Sequence, residues 1–414
     1  MWRKKYYENP RRLALAAVAK ETQELTATIA AKLPHLDTTK CEKLKLSELA
    51  PLDPSKCPRF RLALARGSSD DSDKPGLACG TVLRVFNLDT FDAALAMPSA
   101  VLGVPSSPKQ TKTTATATTP LTAEAEEALR VEQLRASASA PENLDAATAG
   151  RVAVLNMASE RSPGGGWLKG AAAQEEALCF RSTLAASLRR DLHYPIEPRA
   201  GLYTRDVVVF RRSMAADHRL MVPDTPEPEL PVVSVLSVAG IRRPEVRRAG
   251  EAVLNTEGES ADGNKAEGPG GGASKGESQS KNGAALGTDQ RAQRGRDNKG
   301  RDEKGAKKAP RGPLVFADAA ARDLTKDKMR LCLRMAGARG HTMLVLGAIG
   351  CGAFKNPPEE VAKCWDEVLS EAEFVGGWFK EIWFAVFDRR NEGNYEVFRD
   401  TFDGKVVGRI SASV

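Results

Sequence analysis

Short runs of consecutive apolar residues recur along the chain and alternate with longer stretches in which apolar and polar residues mix. Residues 80–87 (GTVLRVFN), 151–157 (RVAVLNM), 206–211 (DVVVFR), 232–239 (VVSVLSVA), 342–346 and 381–387 are β-branched or apolar almost throughout and read as strands. Because their apolar character is continuous rather than alternating, they are expected to be covered on both faces. Helical sequence lies between them. Residues 10–33 are dense in Ala, Leu, Lys and Glu with Pro10 at a first helical position, and Asp89 offers a cap for a short helix through Leu95. Further helices are predicted at 123–136, between the strands at 151–157 and 206–211, at 317–338 and at 357–374. Alternating strands and helices of this kind predict an α/β fold: a three-layer α/β/α mixed sheet with a helical N-terminal extension.

Two stretches break the pattern. Residues 106–120 (SSPKQTKTTATATTP) hold repeated Thr and no core-forming residue, and residues 250–313 are crowded with Gly, Ser, Lys, Arg, Asp and Glu. The expected division is therefore an N-terminal helical extension with the first core strand (1–100), a flexible polar loop (101–122), a first core segment (123–249), a disordered low-complexity insert (250–313) and a second core segment (314–414).

Composition narrows the classes of function. The net charge of +7 over 414 residues favours acidic partners, and 291–311 is the most basic stretch, which leaves nucleic acid open as a further partner but not a required one. The longest apolar run near the N-terminus, residues 13–19, is too short for a spanning helix, so no membrane association is expected. Seven cysteines form no CxxC pair and four histidines (35, 193, 218, 341) form no HExxH or HxH arrangement; the expectation is reduced thiols, no metal, no cofactor and a cytoplasmic or nuclear address. Neither GxGxxG nor GxxxxGK[ST] opens a helix, which argues against a dinucleotide-dependent dehydrogenase and a phosphate-loop ATPase.

The chemistry concentrates in two glycine segments, each directly after an apolar strand and before a helix. In the first, 156–182 (NMASERSPGGGWLKGAAAQEEALCFRS), Gly164, Gly165 and Gly166 permit positive φ and close approach of backbone N–H groups to an anion such as a diphosphate. A helix then opens on Gln174, Glu175 and Glu176; neighbours on a helix point about 100° apart, so the two carboxylates can address different atoms of one ligand. In the second, 346–358 (LGAIGCGAFKNPP), Gly347, Gly350 and Gly352 can form another anion-cradling loop. Two such loops at the C-terminal ends of strands would flank one crevice.

Together these segments resemble the poly(ADP-ribose) glycohydrolases, whose signature is GGG, a short spacer and QEE. Gly164 to Glu176 match it throughout, and the flanking VLNMASERSPGGGW and ALCFRSTL, with LGAIGCGAFKNPPEEVA, are similar to the microbial-type branch of that family. The resemblance implies a macrodomain that binds ADP-ribose between the two loops without a metal. It implies Glu176 as the catalytic acid/base and Glu175 as holder of ribose hydroxyls. Gly164, Gly165 and Gly166 would lie at the diphosphate near the scissile ribose, and Gly350, Cys351, Gly352, Ala353 and Phe354, with Gly347 and Ile349, on its other side. Gln174 and Asn156 join the binding set, and Phe387 is the candidate aromatic to stack on the distal ribose or adenine after the last strand. The sequence departs from the family at Met157, where relatives carry Phe, and at Ser159, where many carry Asn.

The expected reaction is cleavage of ribose–ribose O-glycosidic bonds in poly(ADP-ribose), free or on ADP-ribosylated proteins, with ADP-ribose as product. Glu175 would raise the proton affinity of Glu176 by like-charge repulsion. The alternatives are a non-catalytic ADP-ribose reader, a hydrolase of single protein-linked ADP-ribosyl groups, and an interaction protein whose basic insert binds nucleic acid.

Overall fold

The computed structural model describes residues 9–60, 78–97, 151–250 and 312–410. The expectations for 101–122, for a helix at 123–136 and for nearly all of 250–313 lie outside the described residues. Residues Met1–Ala249 and Pro313–Val414 form one compact unit.

Helix α1 (Pro10–Ala31) starts where Asn9 Oδ1 accepts from the Arg11 N–H at 3.0 Å and Pro10 fills the first turn. Strand β1 (Glu42–Lys45) follows, then β2 (Ala78–Phe86) and α2 (Thr90–Ala96), capped by Asp89 as its sequence predicts. Strand β3 (Ala153–Ala158) leads into the first glycine segment and α3 (Gln174–Arg181), then two single turns, α4 (Leu184–Ser187) and α5 (Arg190–His193). Next come β4 (Ala200–Val208), β5 (Val232–Ala239), the short β6 (Val246–Arg248) and β7 (Leu314–Phe316), and α6 (Ala319–Ala338). The chain closes with β8 (Met343–Leu346), α7 (Pro358–Leu369), β9 (Glu381–Ala385), α8 (Asn394–Phe402) and β10 (Val406–Ile410).

Eight strands make one sheet in the order β1-β4-β5-β3-β8-β9-β2-β10. The inner pairs β5/β3, β3/β8, β8/β9 and β9/β2 are parallel, and antiparallel strands finish both edges. The continuous apolar runs do cover both faces. Along β3, Val154 and Ala158 enter one core with α1, α2 and α3, while Ala153 and Leu155 enter the other with α6, α7 and α8. This is the three-layer α/β/α mixed sheet expected from the sequence.

Three differences have physical causes. The run at 206–211 is the most β-branched part of its region, yet its strand is β4, Ala200–Val208. The ladder with β5 ends there because Pro231 precedes Val232, and Phe210 turns away to donate its N–H to Arg181 O. Helix α7 stops at Leu369 rather than 374, where Ser370 and Glu371 return their N–H groups to the last turn. The elements β1, β6, β7, α8 and β10 are three- to nine-residue pieces, whose pairing depends on partners distant in sequence. Among them β6 and β7 pair Val246 with Phe316 and Arg248 with Leu314, which holds the two ends of the intervening segment side by side.

A partly buried charge network ties α1 to α3. Arg181, 1% exposed at the end of α3, pairs with Asp89 and Asp92, and Arg211 pairs with Glu21 and donates to Thr22 Oγ1 of α1. Thr22 Oγ1 in turn donates to Phe180 O, at 2.9 Å.

Candidate active site

The first glycine segment leaves β3, which sits at the middle of the parallel strands, so its loop emerges at their C-terminal edge. Asn156 faces Ser237 across the β3/β5 ladder and donates to it from Nδ2 to Oγ at 3.0 Å; it is fully buried, and its Oδ1 has no partner. Ser159 then makes the turn: its Oγ accepts from the N–H groups of Arg161 and Ser162, at 3.3 and 3.1 Å. A short side-chain oxygen is what such a turn needs, so Ser serves where relatives carry Asn.

Gly164 and Gly165 both take positive φ, +65° and +61°. A Cβ on Gly165 would lie 2.5 Å from Glu176 Oε1 and 2.9 Å from Glu175 Oε2, and one on Gly164 would meet the Trp167 ring and Cys179 Sγ. The glycines are therefore required twice, by backbone conformation and by the carboxylates packed against them.

Helix α3 begins on the three residues of the QEE motif, and each has a different set of partners. Gln174 is tied to the protein at both ends of its amide: Oε1 accepts from Met157 N–H at 2.8 Å, and Nε2 donates to Leu155 O at 2.7 Å and Thr90 Oγ1 at 3.1 Å. Glu175 Oε2 accepts from the Ser159 N–H at 2.8 Å, while Oε1 is buried without a partner. Burial, and to a lesser degree the neighbouring Glu176 carboxylate, push the Glu175 carboxyl up to about 8. Glu176 Oε1 accepts from Gly166 N–H at 2.8 Å, and Oε2 from Ala173 N–H at 3.0 Å. The second of these is half of a capping box, since Ala173 has no side-chain acceptor to complete it.

The second segment follows β8, the neighbour of β3, so the two loops are adjacent. A Cβ on Gly347 would sit 3.3 Å from Met157 Cε, and one on Gly240, after β5, would sit 3.1 Å from Gly350 Cα. Gly350 has φ +77° and packs on Asn356, whose Nδ2 donates to Ile241 O at 2.7 Å and Gly350 O at 3.1 Å. The N–H groups of Ile349 and Cys351 are used in local turns, but no described residue accepts from those of Gly350, Gly352, Ala353 or Phe354. Open space lies where Gly352 would carry a side chain. Unpaired N–H groups on a glycine-rich loop suit an anion.

Phe387 lies beyond β9 and is 40% exposed, with the Arg389 guanidinium 5.8 Å from its ring centre. The last strand is β10, not the one before Phe387. Sequence reasoning named neither Ser159, Thr90, Ser237 nor Asn356 as site residues; only Asn356, in KNPP between glycine loop and helix, carried a local turn signal. Among the described residues no group of three His, Cys, Asp or Glu is placed to hold a metal, and all seven thiols are free.

The site thus brings two glycine loops together at the C-terminal edge of the parallel strands of an α/β/α domain, with a carboxyl pair beside them. Residues 84–212, which hold the first loop and the QEE helix, match the family model of the microbial-type PARG catalytic domain, the family recognised from the motifs. Three solved structures are similar over much of the chain. The poly(ADP-ribose) glycohydrolase of Thermomonospora curvata is 21% identical, covering 94% of this chain and 99% of its own, with a TM-score of 0.49. The same enzyme bound to the inhibitor ADP-HPD is 20% identical, with 94% and 100% covered and a TM-score of 0.48. The poly(ADP-ribose) glycohydrolase of Deinococcus radiodurans in complex with ADP-ribose is 22% identical, with 78% and 84% covered and a TM-score of 0.40. No curated protein matches.

Proposed function

We propose that the protein is a metal-independent poly(ADP-ribose) glycohydrolase with Glu176 as its acid/base residue. The observation that carries the reading is the contact of the second QEE acid with the triple-glycine loop, Glu176 Oε1 to Gly166 N–H, within the segment that matches the family model. A carboxyl fixed at the anion-binding loop is placed to act on the ribose next to the diphosphate.

Protonated Glu176 donates to the 2′ oxygen of the departing ribose as the glycosidic bond breaks, and the bonding pair leaves with that oxygen. Water then adds to the ribose cation and returns its proton to Glu176. A carboxyl group offers about four acceptor directions, so the two N–H contacts orient Glu176 without exhausting it. Glu175 addresses the ribose hydroxyls, with Asn156 beside it. Gly164, Gly165 and Gly166 flank the diphosphate from one side, and the free N–H groups of Gly350, Gly352, Ala353 and Phe354 from the other. Exposed Phe387 is offered to the adenosine end. Gln174, fully engaged within the protein, positions the strand end rather than binding substrate.

The polymer, free or attached to modified proteins, is the partner this chemistry serves. The basic stretch 291–311 supports nucleic acid as an additional one. Free thiols fit a cytoplasmic or nuclear setting, and no described helix is long and apolar enough to cross a membrane.

The test is release of free ADP-ribose from poly(ADP-ribose) by the purified protein and its Glu176→Gln variant. Release by the wild type alone supports the assignment. ADP-ribose binding without release by either would make the protein a reader, and release only from singly modified proteins would make it a mono-ADP-ribosyl hydrolase.

A further inference from the structure

The loop that follows β5 is built onto the second glycine loop. Asn356 Nδ2 donates to Ile241 O at 2.7 Å, the Arg243 N–H donates to Phe354 O at 2.8 Å, and a Cβ on Gly240 would lie 3.1 Å from Gly350 Cα. Three exposed cations ride on this joined pair of loops, Arg242 and Arg243 on one and Lys355 on the other. Among the described residues none of the three side chains has a carboxylate partner, although Glu245 and Glu359 are close in the chain. The arginines along α6 are different: Arg322 meets Glu360 at 2.6 Å, Arg330 meets Glu371 at 2.7 Å and Arg334 meets Glu373 at 2.8 Å.

Arg243 and Lys355 also have left-handed backbones, with φ of +50° and +59°. A residue with a Cβ adopts that conformation at a cost, and glycine adopts it freely. Cations therefore stand at two positions where the backbone alone favours glycine, and their side chains return no hydrogen bond or ion pair to the described residues.

We propose that Arg242, Arg243 and Lys355 form a cationic rim that takes phosphates of poly(ADP-ribose) beyond the single unit held between the glycine loops. The proposal rests on the glycohydrolase reading, which puts one diphosphate at the free N–H groups of Gly350, Gly352, Ala353 and Phe354. Charge and repetition choose the occupant. Every unit of the polymer carries a diphosphate, so further negative charge is tethered to the unit already bound. Exposed cations hold a free anion weakly in water, but a tethered one meets them at high effective concentration, and each phosphate neutralised releases counterions. Nucleic acid offers phosphates as well, but no ADP-ribose to anchor it beside the rim. The rim raises affinity for the polymer over the product ADP-ribose and takes no part in the bond that breaks.

The test is equilibrium binding of poly(ADP-ribose) of one defined length to the full chain, in a Glu176→Gln background so that the polymer persists. ADP-ribose and a single-stranded RNA of equal phosphate number are the comparisons. Arg242→Ser combined with Arg243→Gly is the rim variant; glycine suits the backbone at 243, so its melting temperature should not fall. We expect its Kd for polymer to rise roughly 3- to 10-fold near physiological salt, and the slope of log K against log salt to shrink by roughly one to one and a half. The Kd for ADP-ribose should stay within about 2-fold of the parent, since a single bound unit does not reach the rim. Lys355→Gly should act on polymer in the same direction with about half the change in slope. Unchanged polymer affinity and salt slope in the rim variant, with ADP-ribose still bound, would overturn the rim and leave the glycohydrolase reading standing. Equal losses for RNA and polymer would overturn the assignment to polymer in favour of a nucleic-acid surface. Failure of both proteins to bind ADP-ribose would overturn the reading of the site, and the rim with it.

Discussion

Glu176 and Gly166 are joined by a hydrogen bond of 2.8 Å between a carboxylate oxygen and a backbone N–H, ten residues apart in the chain. The bond makes the glycine loop and the start of α3 a single piece, so the geometry of the loop and the position of Glu176 cannot vary separately. Gly165 sits inside that piece: its φ of +61° and the 2.5 Å from a would-be Cβ to Glu176 Oε1 exclude any side chain.

Gly165→Ala should therefore damage catalysis more than folding. The left-handed backbone costs about 1 kcal/mol for a residue with a Cβ. The methyl group also has to displace Glu176, and loss of a positioned acid lowers turnover by roughly 10²–10⁴-fold. Thermal unfolding and the rate of ADP-ribose release, measured on the same preparation, separate the two. A variant that folds with near-normal turnover would show that Glu176 is not the group doing the chemistry.

Glu175→Gln should stabilise the protein in a pH-dependent way. The folded protein holds the Glu175 proton more tightly than the unfolded chain, about 8 against an ordinary 4.5. Stability from this residue is then complete below the lower value and is lost as pH rises through the upper one. Glutamine cannot ionise, so the advantage of the variant should be small in mild acid and grow toward pH 8, with an upper bound of roughly 5 kcal/mol. Melting temperatures of the two proteins across that range test it; parallel curves would mean that Glu175 is charged throughout.

Much of this was legible in the sequence, and the part that was not has a common cause. Continuous apolar runs located the central strands because such strands are buried on both faces, and the GGG and QEE segments carried their chemistry in local spacing. The edge strands β1 and β10 were not readable, since half-exposed strands carry charge and gain their order from neighbours elsewhere in the chain. Within the site, the same limit hid Thr90 and Ser237, which matter only because α2 and β5 bring them to Gln174 and Asn156. Adjacency of two acids is visible in sequence, but which N–H donors each carboxyl meets is a property of the packed helix.

Asn356→Ala should loosen the second loop. Nδ2 of this 3%-exposed residue donates to the carbonyl groups of Ile241 and Gly350, so removal leaves Ile241 O without this donor, leaves Gly350 O with only the backbone N–H of residue 356, and empties the space against Gly350. A stability loss of about 1–3 kcal/mol is expected. Under the proposed function, in which the loop offers its N–H groups to the diphosphate, the Kd for ADP-ribose should rise while the step at Glu176 is less affected. Calorimetric titration with ADP-ribose alongside kcat checks this; weaker kcat with unchanged Kd would place the diphosphate elsewhere.

Gln174→Glu distinguishes a positioning role from substrate binding at the one QEE residue whose polar atoms are all engaged. Glutamate keeps an oxygen to accept from the Met157 N–H, but its other oxygen cannot donate to Leu155 O, which Nε2 approaches to 2.7 Å in the native protein. Two acceptors at that distance repel, so the start of α3 should shift away from β3 and carry Glu175 and Glu176 with it. The expected outcome is a loss of kcat by 10-fold or more, following the general sensitivity of catalysis to misplacement of about 1 Å. The Kd for ADP-ribose should change much less, because the second glycine loop belongs to β8 and α7 and does not depend on Gln174. If Gln174 instead touches substrate, its amide has to leave Leu155 and Thr90 when ligand binds, and the variant would lose affinity in proportion to turnover. Acidification restores the donor by protonating the glutamate, so partial recovery of kcat at lower pH, beyond that of the wild type, is the signature that only the positioning role predicts.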